Sequence, residues 1–114
     1  MGAVIFTKDN RIVSTGYNGS LPGEKHCIEI GCMMEDNHCV RVVHAEMNAI
    51  LLAAREGISI KGMSLFTTAS PCWPCFKGLA MAGIKTVHYS RFYKDPRIFE
   101  HAAMQGIEMI GPKE

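Results

Sequence analysis

Two short segments of this chain carry residue types that bind and use a metal ion: His44-Ala45-Glu46, and Pro71-Cys72-Trp73-Pro74-Cys75. A cysteine pair separated by two residues supplies two thiolates to one tetrahedral zinc, and a histidine supplies a third ligand. Three protein ligands leave the fourth position to water, as in a catalytic zinc site. Zinc brings the pKa of its water from about 15.7 to about 7, which makes hydroxide available at neutral pH. Glu46 is then a carboxylate beside a ligand, able to accept the water's proton and deliver it elsewhere as general base and acid. Both segments fall at expected helix starts, where the macrodipole and unpaired N–H groups favour thiolate over thiol.

Two plainer readings compete with this one. A fourth protein ligand would close the shell and make the zinc structural, with Glu46 reduced to a carboxylate at a helix N-terminus. A purely structural site, however, gives Glu46 no task. A thioredoxin-like dithiol would account for Cys72 and Cys75 but not for His44 or Glu46. Upstream lies a second group of thiols, Cys27, Cys32 and Cys39, which brings the total to an odd five. In a reducing compartment such clusters read as metal ligands rather than as a disulfide framework. These three could clamp a second, structural zinc, or be small buried hydrophobes.

The elements that must hold these groups follow from periodicity and turn residues. Ala3 to Phe6 and Arg11 to Gly16 read as two strands joined by a turn at Lys8-Asp9-Asn10. From Tyr17 to about Val42 no period is sustained, which predicts a long irregular loop, and such loops are usually functional. A helix is expected from His44 to Arg55, with Met47, Ile50, Leu51 and Ala54 on its apolar face and Gly57 as its stop. Met63 to Ala69 reads as a strand, Cys72 to Ala82 as a helix, Ile84 to Tyr89 as a strand, Pro96 to Gln105 as a helix and Ile107 to Ile110 as a last strand. The order ββαβαβαβ predicts an α/β domain over residues 1–114: a mixed sheet covered by helices.

Composition narrows the partners. With 114 residues, 47% of them apolar and 20% charged, the chain has the balance of one small globular domain. A net charge of +1 from 12 basic and 11 acidic groups gives no footprint for a nucleic acid polymer or a membrane surface, so a small molecule is the expected ligand. No apolar run approaches the roughly 20 residues of a membrane span, and Met1 to Phe6 lacks the features of a signal peptide. The expected compartment is the cytoplasm.

The pattern His-x-Glu followed by Pro-Cys-x-x-Cys is shared by zinc deaminases. The chain resembles more particularly the deoxycytidylate (dCMP) deaminase family. The likeness runs through Gly16-Tyr17-Asn18-Gly19, His26 to Cys32, Cys39 to Ile50, Ser70-Pro71-Cys72 through Gly83-Ile84-Lys85, and Tyr89 to Tyr93. It implies a cytidine deaminase-like, three-layer α/β/α fold around a mixed five-stranded sheet, and zinc-dependent hydrolysis of dCMP to dUMP and ammonia, feeding thymidylate synthesis. Deamination of another cytosine nucleotide or nucleoside, or a non-catalytic zinc-binding module of the same fold, are the alternatives.

The resemblance implies further roles. Asn18 would touch the sugar or phosphate, the Ala45 N–H and the Ser70 carbonyl would read the cytosine edge, and Tyr93 would lie near the phosphate. Asn18-Gly19 is also a common tight turn, and Tyr93 also fits a core or rim aromatic. Relatives use the Gly-Tyr-Asn-Gly region for regulation, so a Mg2+-nucleotide triphosphate effector and a homo-oligomer, commonly a hexamer, are expected. In relatives a helix precedes the first strand and carries one cysteine of the second zinc site together with basic residues. Here the chain begins at what corresponds to that first strand. One face of the sheet is therefore expected to be uncovered and to invite association. The fourth ligand beside Cys27, Cys32 and Cys39 would be His26, His38 or water, and the phosphate donors would come from Lys25, Arg41, Arg91 and Lys94.

Overall fold

The computed structural model describes residues 1–92 and 95–112, with the side chain of His38 outside the described set. Five strands form one mixed sheet: β1 (Gly2–Phe6), β2 (Ile12–Tyr17), β5 (Ser64–Ala69), β6 (Thr86–Arg91) and β7 (Glu108–Ile110). Their spatial order is β2-β1-β5-β6-β7. The strand β1 runs antiparallel to both β2 and β5, whereas β5, β6 and β7 are mutually parallel. Parallel neighbours need a crossover, and the helices α3 (Trp73–Ala82) and α4 (Pro96–Gln105) supply the two that are required.

The loop between β2 and the first long helix is more structured than its lack of periodicity predicts. It contains one turn of helix, α1 (Cys27–Ile30), and a two-stranded hairpin of β3 (Met34–Glu35) and β4 (His38–Cys39). Asp36 and Asn37 make the hairpin turn with φ of 49° and 64°, a left-handed conformation that these two residue types tolerate better than most. Elements this short have no period to detect. Their local signal is the Asp-Asn dipeptide.

The helix α2 (Ala45–Arg55) packs on β1, β2 and α3; α3 packs on α4, and α4 on β7. The three form one layer over one face of the sheet. Ile5, Leu65 and Val87 point from the sheet into this layer and meet Phe76, Leu79 and Ile98, all of them buried. Alternate strand residues face the other way. On that side Phe6 and His88 are in ring contact at 5.8 Å, Phe66 is 41% exposed, and no helix covers them among the described residues. The mixed five-stranded sheet agrees with expectation.

The starts of α2 and α3 sit one residue later than the periodicity places them, for a reason that bears on the site. His44 and Cys72 are the N-caps of α2 and α3, with extended ψ of 151° and 168°, rather than their first helical residues. Each caps without a side-chain hydrogen bond, so the imidazole and the thiol are kept for another use.

Candidate metal centre and pocket

The two N-caps converge. Nδ1 of His44 lies 3.4 Å from Sγ of Cys72 and 3.5 Å from Sγ of Cys75, one turn further into α3. Ligands at ordinary zinc bond lengths on a tetrahedron are separated by about 3.6 Å (S to N), so the spacing fits one zinc ion with no movement of backbone. The hydrogen bond from Cys75, with its backbone N–H and His44, lowers the Cys72 thiol to about 5. Cys75 is pushed up by that same hydrogen bond, by burial and by the nearby charges of Cys72 and Glu46. Between them the pair offers a ready thiolate at neutral pH, and a cation would release the remaining proton.

Glu46 sits on the first turn of α2 and is buried. Its Oε1 accepts a hydrogen bond of 2.6 Å from the hydroxyl of Thr67, itself fully buried on β5. The carboxylate lines the same pocket as His44 and Cys72. That pocket holds about 570 Å3 and is completed by Asn18, Ser70, Trp73, Asp95 and Arg97.

The start of α2 is fixed from outside the helix. The Ala45 N–H, one of the unpaired donors of a helix N-terminus, donates to Oδ1 of Asn18 at 2.8 Å. Asn48 Nδ2 donates to the Tyr17 carbonyl at 2.8 Å, and Ser14 Oγ to the Ala49 carbonyl at 2.7 Å. Gly16 permits this approach: a Cβ there would stand 2.2 Å from the Ala45 carbonyl oxygen and 2.6 Å from the Ala49 nitrogen. Asn18 and Ala45, assigned to the ligand from sequence, are thus paired with each other at the pocket wall.

Ser70 is buried in that wall. Tyr93 and Lys94 lie outside the described residues. Lys25, Arg41 and Arg91 do not line the pocket. Arg97, which sequence reasoning missed, does. Its guanidinium bridges the buried Asp95 carboxylate through Nε (3.0 Å) and Nη2 (2.7 Å) and lies 5.1 Å over the Trp73 ring. The Arg97 guanidinium holds the Asp95 carboxyl below the usual range. Lys77 lies 5.7 Å from the same ring centre. The signal in the sequence was Asp95-Pro96 as a helix start, which places Arg97 where it can return to its own cap.

The second thiol group also assembles. The sulfurs of Cys27, Cys32 and Cys39 all lie within 4.8 Å of one another, with Cys27 and Cys39 at 3.4 Å. Burial works against ionisation of Cys39, but the Arg41 N–H and the Cys27 thiol bring it down to about 7. Hydrogen bonding to Cys39, then burial, raises Cys27 to about 11. Among the described residues no fourth ligand joins the three. His26 instead caps α1 and faces the Ser20 N–H at 3.4 Å, and the expectation for His38 concerns a side chain outside the described set. Cys39 also lines the pocket, so the two clusters share a wall.

Comparison with known proteins agrees with this geometry. Residues 1–91 match the family model described as the cytidine and deoxycytidylate deaminase zinc-binding region. The chain is 44% identical to ComE operon protein 2 of Bacillus subtilis (strain 168), covering 91% of this chain but 57% of that protein. It is 36% identical to deoxycytidylate deaminase of Enterobacteria phage T2, covering 82% of this chain and 69% of that one. In structure it is similar to dCMP deaminase from the cyanophage S-TIM5, solved in complex with dCMP and dUMP. The TM-score is 0.81 at 34% identity, over 97% of this chain and 79% of that one.

Proposed function

Because this chain belongs to the cytidine and deoxycytidylate deaminase family, we propose that it converts dCMP and water to dUMP and ammonia. The observation that carries the reading is the pairing of a three-ligand zinc site with a buried, non-ligating carboxylate on one pocket. His44, Cys72 and Cys75 would hold the ion. A bound zinc supplies a Lewis acid that makes water a nucleophile near neutral pH. Glu46 would then do the proton work: it takes one proton from the attacking water and gives it to the ring nitrogen beside the reacting carbon, then takes the second from the hydroxyl now on that carbon and gives it to the departing amine, which leaves as ammonia. One carboxyl suffices, since each transfer returns it to the state needed for the next.

The pocket has a dry end and a wet end. Glu46 and Ser70 are buried, whereas the Arg97 side chain is 57% exposed. A nucleotide fits with its base inward and its phosphate outward, where Arg97 offers a guanidinium already oriented by Asp95 and Trp73. The Ser70 carbonyl and the Ala45 N–H meet the cytosine edge, with Asn18 yielding or sharing that N–H as it turns to the sugar. Cys27, Cys32 and Cys39 hold a second, structural zinc. A further cavity of about 440 Å3, lined by Gly16, Tyr17, Asn48 and Arg55, is the candidate place for a Mg2+-nucleotide triphosphate effector. The proposal extends to a cytoplasmic homo-oligomer, supported by the uncovered face of the sheet.

Ammonia release from cytidine, deoxycytidine, CMP, dCMP and dCTP tests the assignment. We expect dCMP to react fastest and Glu46→Gln to lower kcat by about 10²- to 10⁴-fold with zinc retained. No release from any of the five by zinc-loaded protein overturns the enzymatic reading. Release from the unphosphorylated nucleosides alone overturns the nucleotide assignment.

A further inference from the structure

Thr67 occupies a position where an apolar side chain would be ordinary. It lies on β5 two residues from Leu65, on the face that packs under the helices, and is fully buried. Valine has nearly the same shape. A hydroxyl at such a place costs free energy unless it is hydrogen-bonded. Here it has two partners, Oε1 of Glu46 at 2.6 Å and the carbonyl oxygen of Ala69 at 2.8 Å. The first is on α2, the helix that His44 caps. The second lies on the strand end that leads through Ser70 and Pro71 into Cys72.

We propose that Thr67 is a positioning residue for the proton shuttle, its hydroxyl fixing the Glu46 carboxyl relative to both halves of the metal site. The inference rests on the deaminase reading given above. A glutamate side chain has three rotatable bonds, and holding one oxygen selects the rotamer in which the other can serve the reacting groups. The hydroxyl suits a group that alternately holds and releases a proton. It donates its one hydrogen to Oε1, which leaves the other carboxyl oxygen to take and give the proton. The tie also joins α2 to β5, the strand that leads into the segment carrying Cys72. Thr67 touches neither the substrate nor the metal ligands in this scheme; it acts through Glu46.

The test compares the native protein with Thr67→Val, which keeps the volume and loses the hydroxyl, and Thr67→Ser, which keeps the hydroxyl. We expect kcat for dCMP to fall about 10- to 100-fold in the valine variant with KM within about twofold, since an interaction felt in the transition state is lost while ground-state binding is not. Zinc content and melting temperature should stay at native values, and the serine variant should recover most of the rate. Equilibrium binding provides a second readout. The valine variant should bind dUMP normally but lose affinity for 2-pyrimidinone deoxyribonucleotide, which hydrates to mimic the tetrahedral stage, in proportion to the loss in kcat. Should the valine variant fail to fold, Thr67→Ala removes the same hydroxyl and reads the same loss.

An unchanged kcat in Thr67→Val, or equal losses in Val and Ser accompanied by loss of zinc, overturns the positioning role. Native protein that releases no ammonia from any cytosine nucleotide overturns the proposed function and this inference with it. Native activity together with an unaffected valine variant overturns this inference alone.

Discussion

Individual side chains in this protein do work that their types alone do not announce. Arg97 illustrates it: an arginine near a chain's end is ordinarily solvated surface, yet here two hydrogen bonds to Asp95 and the Trp73 face orient it at the mouth of the pocket. Arg97→Ala is expected to raise KM for dCMP about tenfold and to leave turnover of deoxycytidine unchanged, because only the phosphate is served. Steady-state kinetics on the two substrates reads the difference. The same pair makes a statement about acid stability. Asp95 is held below its ordinary value of about 3.9 by Arg97, so on acidification the unfolded chain takes up this proton first. The stabilisation is present above about pH 4 and is lost as pH falls through the lower, folded-state value. Melting temperatures of native protein and Asp95→Asn should differ most above that pH and converge below it.

At the scale of the elements, the site is a meeting of two helix starts whose capping residues, His44 and Cys72, are candidate metal ligands. Helices usually begin with Ser, Thr, Asp or Asn, which pair with their own first N–H groups. Here α4 follows that rule through Asp95, while α2 and α3 do not. Asn18 supplies the missing acceptor to α2 from the loop after β2. This arrangement depends on β2 and α2 lying closer than ordinary side chains allow, and Gly16 is what permits it. Gly16→Ala should cost about 1–3 kcal/mol in stability by overpacking. It should also lower activity beyond that loss, since the wall formed by Asn18 and Ala45 must shift. Chemical denaturation and kcat/KM measured on the same sample separate the two effects.

For the molecule as a whole, the helices lie on one face of a small sheet, and metal is expected to supply part of the cohesion that so small a core lacks. The Cys27, Cys32 and Cys39 cluster lies in a loop with few buried residues and abuts the pocket through Cys39. Metal analysis should give two zinc ions per chain in the native protein and one in Cys27→Ser/Cys32→Ser. The double variant should melt at lower temperature and bind dCMP more weakly, because the loop forms a wall of the pocket. One zinc in the native protein, unchanged by the double substitution, sinks the clamp. On the opposite face of the sheet Ile12 is 63% and Phe66 41% exposed.

The sequence by itself picked out the candidate ligand set and proton carrier, because these lie in two short segments with fixed spacing. It also determined the alternation of strands and helices, because each long element carries its own period and stop residue. The pairing of β1 with β5 across the middle of the sheet, the hairpin around Asp36-Asn37, and the places of Thr67, Asp95 and Arg97 were decided by tertiary structure. Thr67 lies 21 residues from Glu46 along the chain and Asn18 lies 27 from Ala45. Contacts at such separations leave no local periodicity. They exist only once the sheet has set the distance between α2 and β5, and that distance makes a buried threonine a partner of the Glu46 carboxylate rather than one more β-branched residue in a core.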